Sequence, residues 1–88
     1  MIILYKKNGT ASVKIPFLEP SKYNTIYITI QCRSRTITSN ATYCVNHVEF
    51  TFDPRNLECG TYILDIYGYN TDSEAKTFLI SDTLQILN

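Results

Sequence analysis

Few residues in this chain have the types and spacing that could do chemistry. His47 is the single histidine, and Cys44 stands three positions before it in the stretch YCVNHVEF. A thiol and an imidazole are what a cysteine nucleophile or a zinc site requires. The surrounding residues alternate as a strand does, however, and on a strand positions i and i+3 point to opposite faces. The expectation is that Cys44 and His47 neither grip one ion nor act as a catalytic pair, and that His47 is a surface or edge side chain. Asp72, Ser73 and Glu74 in NTDSEAK could lend oxygens to a weak calcium site, but no second acidic cluster lies near them in sequence. The reading there is a solvated hairpin tip. Asp53, before Pro54, starts a turn, and Asp65 is expected to meet a Lys or Arg on a neighbouring strand. The chain has no glycine-rich phosphate loop, nucleophile elbow or carboxylate pair. The sequence therefore predicts no enzyme, and no catalytic, cofactor or metal residues.

The three cysteines, Cys32, Cys44 and Cys59, are odd in number and include no CxxC. Reduced thiols are expected, with one bridge plus one free thiol as the alternative. NGT at 8–10 and NAT at 40–42 match the glycosylation acceptor pattern, which a chain rich in Ser and Thr produces by chance. The opening MIILYKKNGT has no basic stretch ahead of its apolar residues and no small-residue cleavage site. It predicts no signal peptide, and no run approaches the roughly 18 apolar residues of a membrane span. Synthesis in a cytoplasm is expected.

Eighty-eight residues imply one domain, 1–88, because a chain of this size buries roughly 60–65% of its unfolded surface and cannot divide that core. Formal net charge is zero and only 18% of residues are charged, against about a quarter in ordinary domains. That balance argues against nucleic-acid binding, which needs clustered Lys and Arg. Lys6-Lys7 and Arg33/Arg35, the densest basic runs, read as turn flanks. A neutral, charge-poor surface keeps molecules apart poorly, which suits a protein held inside an assembly.

Isoleucine, threonine and tyrosine dominate while glycine, alanine and methionine are scarce, a bias toward pleated strands. Period-two alternation recurs along the chain, with no helical apolar period over 10–12 residues. Strands are predicted at 2–6, at 11–17 (Val13, Ile15 and Phe17 inward, Pro16 at an edge) and at 25–32 (Ile26, Ile28, Ile30 and Cys32 inward). Asn8-Gly9 signals a turn, and residues 18–24 a loop. Around 33–40 a turn, a short strand and a loop near Asn40 are expected. Residues 43–52 resume with Val48, Phe50 and Phe52 inward, followed by a connection over 53–60. Tyr62, Leu64 and Ile66 define the inward face of 61–69. In the last strand Phe78, Ile80, Leu84 and Ile86 share a face, with a kink or bulge at Ser81-Asp82. About seven short strands with turn signals every 8–12 residues predict an all-β, two-sheet antiparallel sandwich.

The stretch LECGTYILDI at 57–66 resembles the turn-plus-strand of immunoglobulin-like and fibronectin-III-like sandwiches. The resemblance implies that Leu57 plugs the bottom of the core and that Gly60 permits the turn. It also makes Tyr62 the corner tyrosine whose hydroxyl ties back to the upstream loop. The chain has no tryptophan, and Leu64 stands where antibody domains carry their second cysteine, so the likeness is to the broad immunoglobulin-like group. Phage particles use such domains as decoration, baseplate and fibre parts.

Opposite the core face, Tyr27, Ile63, Tyr67 and Tyr69 could form an outward aromatic patch if their strands are neighbours. Tyrosine buries much area at little entropic cost and keeps a polar tip. The expected role is a structural and interaction protein of a phage virion, an auxiliary capsid or head decoration protein or a baseplate or tail module. Capsid or tail proteins would be its partners, and it would act as a homo-oligomer or in many copies, without cofactor, nucleic acid or membrane. The alternative is an adhesion or carbohydrate-binding module of a bacterial cell-surface protein. A small intracellular regulator is a third.

Overall fold

The computed structural model describes residues 1–16, 23–70 and 76–88. Phe17, most of the 18–24 loop, and Asp72, Ser73 and Glu74 lie outside the described residues. Among those described, the regular structure is all β apart from two 3-10 turns. The strands are β1 (Ile2–Tyr5), β2 (Ala11–Pro16), β3 (Thr25–Gln31), β4 (Thr36–Tyr43), β5 (His47–Phe52), β6 (Gly60–Tyr69) and β7 (Lys76–Leu87). Their order across the sheet is β1-β7-β6-β3-β4-β5-β2.

Between β4 and β5 the ladder shrinks to two residue pairs, Thr42↔Glu49 and Tyr43↔Val48. There the sheet turns over, leaving β1, β7, β6, β3 and β4 in one layer and β5 with β2 in the other. Ile26, Ile28, Ile30, Leu64, Ile66, Leu84 and Ile86 of the first layer share one buried cluster with Val13, Ile15, Val48 and Phe50 of the second. The molecule measures 40 × 28 × 17 Å, and the short dimension suits two layers about 10 Å apart. The result is a β-sandwich with a nearly closed, barrel-like course. Burying each of those branched side chains contributes roughly 1.5–3 kcal/mol, so the alternation seen in the sequence is what holds the layers together.

Four features depart from the expectations. First, the sheet is mixed: β1 lies parallel to β7 (Ile2↔Leu84 to Tyr5↔Leu87). Asn8-Gly9 does not close a β1–β2 hairpin. A 3-10 turn over Lys6–Asn8, closed by Gly9 N–H donating to the Lys6 carbonyl at 3.1 Å, sends the chain across to the other edge instead. There β2 pairs with β5.

Second, β4 runs straight through Asn40, because pairing with β3 from Gln31↔Thr36 to Ile26↔Ala41 outweighs the poor strand propensity of Ser39 and Asn40. Third, the chain leaves the strand over residues 44–46, with Val45-Asn46 forming a tight turn between β4 and β5. Cys44 N–H donates to the His47 carbonyl at 2.8 Å, and the loop residue Val45 is 94% exposed. Fourth, the irregularity in the last strand is at Leu79. Ile66 pairs with Ile80 but Tyr67 pairs with Phe78, so Leu79 is the extra residue of a β-bulge. The bulge flips the phase and turns Phe78 outward, 53% exposed.

Candidate interaction face

The outward side of β4, β3, β6 and β7 can be read as rows of side chains crossing the strands. One row is Asn40, Tyr27, Tyr67 and Phe78. The row beyond it is Thr25, Tyr69 and Lys76. On the other side come Thr38, Thr29, Asp65 and Ser81, then Thr36, Gln31, Ile63 and Thr83. The first two rows make a ring cluster. Tyr27 and Tyr67 stack with centroids 5.4 Å apart and planes 14° from parallel. Tyr69 meets Tyr27 edge-on at 6.0 Å, and Phe78 meets Tyr67 edge-on at 5.7 Å. The Lys76 ammonium lies 5.6 Å from the Tyr27 ring centroid, a cation–π contact. Tyr27, Tyr69, Lys76, Thr38 and Asn40 line a shallow groove of about 210 Å³.

Of the four residues expected on this face, Tyr27, Tyr67 and Tyr69 come together. Ile63 also points outward and is 55% exposed, but four strand positions separate it from Tyr67, about 13 Å. Phe78 and Lys76 are the members that sequence reasoning missed. Phe78 depends on the bulge at Leu79, which no glycine or proline marks. Asp65 does not meet a cation across the strands; its cross-strand neighbours are Thr29 and Ser81. The Thr29 hydroxyl between them is buried without a hydrogen-bond partner.

The stretch at 57–62 forms the opposite corner. Asp53 Oδ1 accepts from Arg55 N–H at 3.0 Å to start a 3-10 turn at Pro54–Asn56. Its carboxylate is held below the usual range by the Arg55 guanidinium and then by that backbone N–H. Leu57 is buried in the core. Gly60 takes φ 154°, a value side-chain-bearing residues rarely adopt. The Tyr62 hydroxyl donates to the Glu58 carbonyl at 2.6 Å. Burial raises the Tyr62 phenol above its ordinary value, with the charges of Cys32, Glu58 and Cys59 adding to the shift. A groove of about 660 Å³ runs past this corner between Arg33, Arg35, Glu58 and Tyr62. All three cysteines are free thiols.

The turn at Val45-Asn46 corrects the expected separation of Cys44 and His47. Cross-strand pairing at a hairpin end puts partners on one face, so Cys44 and His47 point the same way, with Glu49 two residues along. The thiol sulfur, an imidazole nitrogen and a carboxylate oxygen lie within 4.8 Å of one another. Val45-Asn46 carries the turn without glycine, and the flanking alternation disguises it as strand.

Among the described residues no helix is long and apolar enough to cross a membrane. No family model matches the chain, and neither a curated protein nor a solved structure does.

Proposed function

We propose that this chain is a non-enzymatic, immunoglobulin-like interaction module that binds other proteins through the ring cluster of β3, β6 and β7. We place it in a phage virion as an auxiliary capsid or head protein, with a baseplate or tail part as the neighbouring use. The kinship is supported by the strand order and by Tyr62, which reaches from the start of the sixth strand to a carbonyl four residues upstream. A neutral, charge-poor chain is suited to a crowded assembly, where neighbours cover its surface.

The observation that carries the reading is the contiguous cluster of Tyr27, Tyr67, Tyr69 and Phe78 on one outward face. Tyrosine and phenylalanine are enriched at protein interfaces, where rigid rings bury large area at small entropic cost. The same cluster raises the alternative of a sugar platform on a cell surface, since Asn40 and Lys76 could bond hydroxyls beside it. Ring orientation favours protein. Tyr27 and Tyr67 are direct cross-strand partners that stack face on face, so they offer edges and hydroxyls to solvent. A sugar platform needs an open ring face.

The test is to assemble phage particles in the source cell, purify them on a density gradient and quantify the chain by mass spectrometry. Many copies per particle are expected. Absence from particles, or a glycan-array signal that Tyr67→Ala abolishes, would overturn the reading.

A further inference from the structure

We propose that Cys44, His47 and Glu49 form a binding site for a divalent d-block cation, Zn²⁺ first, at the tip of the β4–β5 hairpin. The site is separate from the ring cluster and does not depend on it. Three donors of the types zinc favours, a thiolate, an imidazole and a carboxylate, have their ligating atoms within 4.8 Å of one another. His47 Nε2 and a Glu49 oxygen are already 3.3 Å apart. That is close to the roughly 3.3–3.4 Å edge of a tetrahedron whose metal–ligand bonds are about 2.0–2.1 Å. Rotation about the Cys44 side chain brings in the third donor.

The second shell is present too. His47 Nδ1 lies 3.2 Å from Asn46 Oδ1; donating its proton there leaves Nε2 with the lone pair a metal needs. All three side chains are partly buried on the outward face, opposite the core residue Val48. Lys14 and Pro16 on β2 stand across from Glu49 and His47, so Lys14 places a cation beside the carboxylate in the strand register. Binding releases the Cys44 thiol proton to solvent, and the thiolate and carboxylate together balance the two positive charges of the ion. Water takes the fourth position.

Location supplies the consequence. The β4–β5 ladder has only two residue pairs, so an ion held by Cys44 on one side of the turn and His47 and Glu49 on the other staples the joint between the layers.

The test uses untagged full-length chain with Co²⁺ and Zn²⁺. One Co²⁺ per chain is expected, with a near-ultraviolet thiolate-to-cobalt band, a shift of the unique histidine's ring resonances, and a rise in Tm that grows with Zn²⁺ concentration. Cys44→Ser should remove the band, and His47→Gln should weaken binding roughly tenfold or more, while Cys32→Ser/Cys59→Ser should retain both. A Co²⁺ band that persists in Cys44→Ser or vanishes in Cys32→Ser/Cys59→Ser, or no binding by the wild-type chain, would overturn the proposal.

Discussion

The two faces of β3 and β6 are made by the same strands and differ in what covers them. Inward, Ile26, Ile28, Ile30, Leu64 and Ile66 are at most 2% exposed and pack against the second layer. Outward, Tyr27, Tyr67 and Tyr69 lean on one another and remain partly open. The inward side chains gain nearly everything they can from burial within the chain. The rings still have area and hydroxyls to give to a partner. On the proposed reading, stability and recognition are separated by one strand position, and each substitution below should report on only one of them.

The largest effect should come from Leu64→Ala, which opens a cavity at a fully buried position and should cost about 2–5 kcal/mol in chemical denaturation. A loss below about 1 kcal/mol would erase the distinction between the faces. Next, Gly68 lies inward beneath Tyr23, and an added Cβ would come within 2.7 Å of that ring. Gly68→Ala should therefore cost roughly 1–3 kcal/mol through overpacking, and neutrality would show that Tyr23 does not cap this end of the core.

The outward face predicts an effect of opposite sign. Thr29→Val replaces a buried hydroxyl that has no partner by a methyl of similar shape, and should stabilise by about 1 kcal/mol. Destabilisation would mean that the hydroxyl is bonded in solution.

An effect of similar size concerns the corner. Tyr62→Phe should cost about 1 kcal/mol near neutral pH through loss of the bond to the Glu58 carbonyl. Because the folded state raises the Tyr62 phenol, its contribution is full below the unfolded value of about 10 and is lost as pH rises through the higher folded value. Thermal melts of the two proteins should converge in alkali; a constant gap would contradict the shift.

How much of this was legible in the sequence follows from which forces write a pattern. Burial does: Ile26, Ile28 and Ile30 opposite Leu64 and Ile66 could be assigned from alternation alone, because each must leave water on the same side. Three of the outward tyrosines could be paired for the same reason. The phase break at Leu79 could not, since an extra residue in a strand of branched and polar side chains leaves no mark, and Phe78 was therefore placed on the wrong face. The turn at Val45-Asn46 was hidden by the alternation of its flanks, and with it the approach of Cys44, His47 and Glu49. The parallel β1–β7 pair was illegible because it is set by where the chain crosses after Lys6–Asn8, a tertiary choice that Asn8-Gly9 alone does not reveal.

The most direct test of the account compares wild type with Tyr27→Ser/Tyr67→Ser for incorporation into gradient-purified particles, with unfolding free energy measured on the same samples. The account predicts a folded, cooperatively unfolding variant that loses less stability than Leu64→Ala and is absent from particles. Undiminished incorporation of that variant would contradict it.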